Sequence, residues 1–324
     1  LVHIDGVRLP RYPCSMMHRL PILALALLVS CSGCVSRDVS TLSPEQVRES
    51  KRESLAAGDL QIAMQDMHNG RFLDPETSEV SLDKAVRLDP QLKDAFLYRG
   101  IARIQQKKWP EAEKDLSRAA TLTPDSAQIF YLRGIVRIHL ENNEGALQDL
   151  THSIELDDTK VNAYVQRGFV HNKAKQYQQA VDDFSQAISM APNRYDPYYQ
   201  RALAYTAQGK HSLAAQDFTD AIGATPSSSQ AFAGRGESYL RLNVFGRAIQ
   251  DLRQASLMSP ENPMYLELLA RAYAGRGEYE EALRHIKRAM AVAKARNITT
   301  RTSALQRLNA EYTAKILHPD PSEP

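Results

Sequence analysis

Residues 161–194, VNAYVQRGFVHNKAKQYQQAVDDFSQAISMAPNR, and residues 195–228, YDPYYQRALAYTAQGKHSLAAQDFTDAIGATPSS, decide the fold. Laid one under the other they keep an aromatic ring at position 4 (Tyr164, Tyr198), Arg at position 7 (Arg167, Arg201) and a small residue at position 8 (Gly168, Ala202). They also share Ala180 and Ala214 at position 20, Phe184 and Phe218 at position 24, Ala187 and Ala221 at position 27, and Pro192 and Pro226 at position 32. Working outward, the period of 34 holds for six units, which begin at residues 93, 127, 161, 195, 229 and 263. Position 20 is Ala in all six, and position 4 is large in all six.

Positions 4, 8 and 11 make one i, i+4, i+7 stripe, and positions 20, 24 and 27 make another. The spacing predicts two short antiparallel helices per unit, with small residues at 8, 20 and 27 where the backbones approach and large ones at 4 and 24 filling the gaps. Gly209 and Gly277 fall in the turn between the helices, and Pro110 suits a first helical turn. Each hairpin leaves an apolar face that only its neighbour can cover, so the units are expected to stack into an all-α solenoid.

This pattern resembles the tetratricopeptide repeat family over residues 93–296. The resemblance implies a right-handed superhelix of antiparallel helix pairs. Residues 59–92 keep Leu82, Ala85 and Pro90 but carry Asp66 where a small residue belongs, and read as a degenerate seventh repeat. Leu305, Leu308, Tyr312 and Ile316 form one stripe, so a capping helix is expected within 297–318, ahead of a tail at 319–324.

Position 7 is Arg and position 23 is Asp in the first five units: Arg99 and Asp115, Arg133 and Asp149, Arg167 and Asp183, Arg201 and Asp217, Arg235 and Asp251. Unit six loses both together, with Leu269 and His285. The two positions are level in an antiparallel hairpin, which predicts an Arg–Asp pair inside each repeat that sets register. A basic ladder for phosphate or acidic peptide is the rival reading.

The family binds partners chiefly in a concave groove lined by first-helix positions, including 5 and 9. In this sequence those positions are Leu97 and Ile101, Tyr131 and Ile135, Val165 and Phe169, and Tyr199 and Leu203 in the first four repeats, then turn charged at Glu237, Glu267 and Arg271. The resemblance thus implies an apolar binding stripe for a protein or peptide partner: an extended apolar peptide, an amphipathic helix or a homodimer mate. The alternatives are that these side chains pack on one another, or that a helix near residues 44–57 fills the groove. The family's carboxylate clamp of Lys and Asn is missing.

All three cysteines, Cys14, Cys31 and Cys34, precede residue 35, which excludes a disulfide framework, a Cys-ligated metal and a catalytic thiol from the body. Arg19 precedes the apolar run Leu20–Val29, too short to span a bilayer but suited to the core of a signal peptide. We read residues 1–15 as upstream of the true start and 16–33 as the signal. The run ends in Leu28-Val-Ser-Cys31-Ser-Gly-Cys34, which resembles the lipobox of bacterial lipoproteins. Cys31 fits it throughout, Cys34 has the better preceding Gly33, and an ordinary secretory signal is the alternative. The resemblance implies acyl chains holding the protein at the cell envelope, facing the periplasm from the outer membrane, with membrane contact through the anchor alone. A tether and a short helix over 44–57, begun by Ser43-Pro44-Glu45 and stopped by Gly58, are expected within 34–58.

The charges agree with this reading. The chain has 40 Lys plus Arg against 38 Asp plus Glu, and the body beyond the signal is balanced, which argues against nucleic-acid binding. His139, His152, His171, His211 and His285 are spread over four units without metal-ligand spacing, and Gly234-Arg-Gly236 and Gly275-Arg-Gly277 follow no strand, so no metal, cofactor or phosphate loop is expected. The expectation is a non-catalytic scaffold or adaptor, of the kind that serves envelope proteases, wall enzymes or pilus assembly. An envelope enzyme or enzyme subunit that uses the repeats only for docking is the alternative.

Overall fold

The computed structural model describes residues 43–318, together with a pair of two-residue strands, β1 (His3–Ile4) and β2 (Val7–Arg8). The signal-like run, Cys31, Cys34 and the tail at 319–324 lie outside the described residues. The chain divides into two compact units, Leu1–Asn142 and Asn143–Pro324.

In the first unit, α1 (Pro44–Gln65) is followed by the strands β3 (Met67–His68) and β4 (Arg71–Phe72), then by α2 (Pro75–Leu88), α3 (Lys93–Gln105), α4 (Trp109–Leu122) and α5 (Ala127–His139). Ser43 opens α1 with a reciprocal cap: its hydroxyl accepts from the Gln46 N–H while Gln46 Oε1 accepts from the Ser43 N–H. Gly58 does not end this helix, contrary to the expected span of 44–57. A lone glycine inside a helix costs only about 1 kcal/mol relative to Ala, and Ala56 and Ala63 on either side of it are buried against the rest of the unit. The stop comes at Asp66, where Asn69 (φ 49°) and Gly70 (φ 75°) make the tight turn of the β3–β4 hairpin.

The supposed seventh repeat at 59–92 therefore has its first helix inside α1. Asp66, the misfit in that alignment, accepts from the Asp74 N–H at 2.7 Å and the Ser78 hydroxyl at 3.0 Å and so ties the hairpin to the start of α2.

The second unit holds α6 (Asn143–Leu156), α7 (Val161–Lys173), α8 (Tyr177–Met190), α9 (Tyr195–Ala207), α10 (His211–Ala224), α11 (Ser229–Arg241), α12 (Phe245–Met258), α13 (Pro263–Ala274), α14 (Tyr279–Ala295) and α15 (Thr302–Leu317). Within each unit successive helices pack as antiparallel pairs joined by short turns, the architecture of an α-solenoid. Positions 20, 24 and 27 form the seam: Ala180, Phe184 and Ala187, and likewise Ala214, Phe218 and Ala221, are buried. A methyl group added at Gly168 would stand 2.8 Å from the Phe184 ring, so the small residue at position 8 is what admits the large one at position 24.

The turns repeat one device. The N–H of position 16 reaches back to the carbonyl of position 11, as in Gln176 to His171, Lys210 to Tyr205 and Val244 to Tyr239. Position 15 takes the left-handed conformation whatever residue it holds: Lys107, Glu141, Lys175, Gly209, Asn243 and Gly277 all have φ between 59° and 79°.

Candidate partner-binding face

The repeat arginines are fully engaged inside the array. Arg99 grips Asp115 with two parallel hydrogen bonds of 2.9 and 2.6 Å, and Arg201 grips Asp217 with two of 2.8 Å. Arg167 pairs with Asp183 and Arg235 with Asp251 in the same way, while Arg133 and Asp149 belong to different units. Each guanidinium also sits over the position-4 ring three residues before it, as Arg167 does over Tyr164 at 5.6 Å.

A third partner completes the arrangement. Arg133 reaches back to the Ser117 hydroxyl, Arg167 to Thr151, Arg201 to Ser185 and Arg235 to Thr219, each at position 25 of the repeat before. Arg99 finds Asp83 at the same place. One arginine thus joins two helices of its own repeat and the preceding repeat as well. The period shows Ser or Thr at position 25 of four repeats, a signal that the reading of positions 7 and 23 passed over.

At repeat six the set changes as a whole. Leu269 is buried at position 7, and Arg253, now at position 25 of repeat five, donates to the Tyr273 hydroxyl at 2.7 Å. The Tyr273 ring stacks on His285, whose centroid is 5.3 Å away and whose pKa burial pushes down.

The proposed groove residues separate by structure. In the first unit Ile101 packs against the cluster containing Ala63, Phe72 and Leu82, and the Gln105 side chain exchanges two hydrogen bonds with the Phe72 backbone, at 2.8 and 3.0 Å. The β3–β4 hairpin therefore covers this part of the first repeat. Leu97 is half-buried between the Phe96 and Leu116 clusters, and Tyr131 and Ile135 lie on α5, the last helix of the first unit. Beside this region Glu79 accepts from Arg103, Gln106 and Lys108, and although burial raises its pKa those bonds together bring it down to about 2.

In the second unit Val165 is core, packed with Ala180 and Phe184. Tyr199 stacks on Tyr195 with centroids 5.3 Å apart and meets the Phe218 ring edge-on at 5.7 Å, and burial pushes its hydroxyl up to about 12. Position 5 thus belongs to the packing. Position 9 does not: Phe169 and Leu203 are 39% and 37% exposed. The side-chain amides of Gln166 and Gln200 share these helices with them, while Asn162 accepts from Arg194 at 2.6 Å and Asn172 donates to the Gln200 carbonyl at 3.3 Å. The charged residues of repeat six close the face off, because Glu267 is buried with Arg271 at 2.8 Å and Arg301, which precedes α15, at 2.7 Å.

The glycine motifs have packing reasons. Gly234 lies against the Phe218 ring and Gly275 against Phe245, leaving no room for a side chain at either. His139 stacks on Trp109 at 3.9 Å, and among the described residues no group of His, Cys, Asp or Glu is placed to hold a metal ion. No described helix is long and apolar enough to cross a membrane.

Hairpins of this length, repeated at 34 residues and bolted by an arginine at position 7 in the first five units, define a repeat protein of the helix-hairpin class. The tetratricopeptide repeat model matches residues 74–127, 97–152, 171–229 and 234–295, and the chain belongs to the tetratricopeptide repeat family. Among solved structures it is similar to a tetratricopeptide repeat protein from Parabacteroides merdae ATCC 43184, at 18% identity and a TM-score of 0.55 over 80% of this chain and 99% of that one. It is also similar to PilF of Pseudomonas aeruginosa, at 15% identity and a TM-score of 0.56 over 70% of this chain and 98% of that one. A third is YrrB, a protein described as having an unusual peptide-binding site, at 21% identity and a TM-score of 0.50 over 58% of this chain and 94% of that one. At these identities the likeness is one of fold. Comparison with curated protein sequences gave no match.

Proposed function

We propose that this protein is a lipid-anchored scaffold of the bacterial cell envelope that holds a segment of another protein against the first helices of repeats three and four. The observation that carries the reading is the pair Phe169 and Leu203, large apolar side chains left open at equivalent positions of α7 and α9, while at position 5 Val165 is buried and the half-buried Tyr199 ring is packed against Tyr195 and Phe218. Amides beside an open apolar stripe suit an extended peptide, whose side chains take the apolar sites and whose backbone meets the amides. The peptide site ascribed to YrrB is consistent with that use of the fold. The anchor rests on the lipobox-like stretch ending in Cys31 and Cys34.

Affinity capture from crosslinked envelopes tests the reading, with the intact protein compared against Phe169→Asp with Leu203→Asp. One protein captured by the intact form and lost with the pair is expected. An unchanged captured set would move binding off this face. Tyr199 is unsuitable for the test, since its ring is part of the packing.

A further inference from the structure

α1 carries apolar residues on two sides. Ala56, Leu60 and Ala63 face inward to the first unit, while Val47, Leu55 and Ile62 on the other side are 45%, 52% and 57% exposed. Val47, Lys51, Ser54, Leu55, Gly58 and Ile62 recur at i, i+4, i+7, i+8, i+11 and i+15, so they run along one side of the helix. An alanine methyl at Gly58 would meet nothing within 4 Å, so the backbone is bare there.

We propose that this side of α1 pairs with the same side of α1 in a second copy of the chain, antiparallel, about a two-fold axis between Ser54 and Leu55. The spacing is symmetric about that point, which is what an isologous contact requires. Val47 then lies opposite Ile62 of the second copy, Ser54 opposite Leu55, and Lys51 opposite Gly58, whose missing side chain leaves room for the lysine stem. The charges fit the same register. Arg48 and Arg52 flank Asp59 of the second copy, and none of these three makes an ion pair among the described residues of its own chain. A parallel pairing would set Arg48, Lys51 and Arg52 against their own counterparts, a like-charge contact that costs affinity. A helix of 22 residues is about 33 Å long. A contact of that length falls at the low end of specific interfaces, at about 1,200 Å² or less in total, so the association is weak and reversible.

The test uses the full chain with Cys14, Cys31 and Cys34 replaced by Ser. In sedimentation velocity over a concentration series a monomer–dimer equilibrium is expected, weakened at least tenfold by Leu55→Glu with Ile62→Glu and left unchanged by Phe169→Asp. Should the charged variant lose its circular-dichroism signal, cysteine pairing decides. A Val47→Cys chain mixed with an Ile62→Cys chain is expected to give a disulfide-linked heterodimer under mild oxidation, with little product from either chain alone. A monomer at every concentration, a dimer indifferent to the glutamates, or ready homodimers of the Val47→Cys chain would each overturn the proposal.

Discussion

An arginine at position 7 divides its donors among a carboxylate, a hydroxyl and the face of a ring, and only a planar fork can serve the first two at once. In Arg201 the three partners are Asp217, Ser185 and Tyr198, with the Asp217 side chain nearly buried. Removing one member leaves a desolvated charge, whereas removing both leaves a packing problem. Asp217→Leu should therefore cost about 3 kcal/mol, and Arg201→Met with Asp217→Leu should come within about 1 kcal/mol of the parent. Denaturant unfolding of the four proteins of the cycle measures this, and losses that simply add would deny the pair its role in register. Arg and Asp were legible at this scale because both recur at a fixed period. The hydroxyl at position 25 recurs in four repeats, but Ser and Thr in a helix read as solvated residues, and only the structure places Ser185 and Thr219 against a guanidinium.

Among the elements, the turn inside each hairpin was partly legible. Gly209 and Gly277 mark a left-handed position by their chemistry, while Lys107, Glu141 and Lys175 occupy the same conformation unannounced. The conformation is dictated by the bond from position 16 back to position 11, so the residue at position 15 accepts the strain. Lys175→Gly should stabilise the protein by about 1 kcal/mol, and Gly209→Val should destabilise it by about 1–2 kcal/mol. Unfolding midpoints check both, and opposite signs would mean that the side chains outweigh the backbone. The length of α1 was illegible at Gly58, because one glycine is a stop or a tolerated interruption depending on what the flanking alanines bury. The true stop was written in Asn69-Gly70, a hairpin signal hidden by the expectation of a regular repeat. Position 5 could not be placed from the period for another reason. Whether Val165 or Tyr199 meets solvent depends on how successive helices lean on one another, and a sequence period carries no such angle.

For the molecule as a whole, stability in an array of this kind is a sum of units and of the junctions between neighbours. Repeat four matches its neighbours on both sides: Arg201 meets Ser185 behind it, and Thr219 meets Arg235 ahead. The junction between repeats five and six is written differently, with Arg253, Tyr273, Leu269 and His285 exchanged as a set. The array therefore has grammar as well as period, and it can be lengthened in some places and not in others. A second copy of residues 195–228 inserted after Ser228 would find a hydroxyl for its arginine and offer one to Arg235, and should fold with an unfolding midpoint no lower than the parent's. Inserted after Asn262, the same copy would bring its arginine up against Arg253, and the midpoint should fall. If both insertions behave alike in urea, the junctions are interchangeable after all. If they differ, the chain's history is constrained to growth from its interior, with repeat six carried along as a terminus that no internal duplication could have copied without rewriting three residues at once.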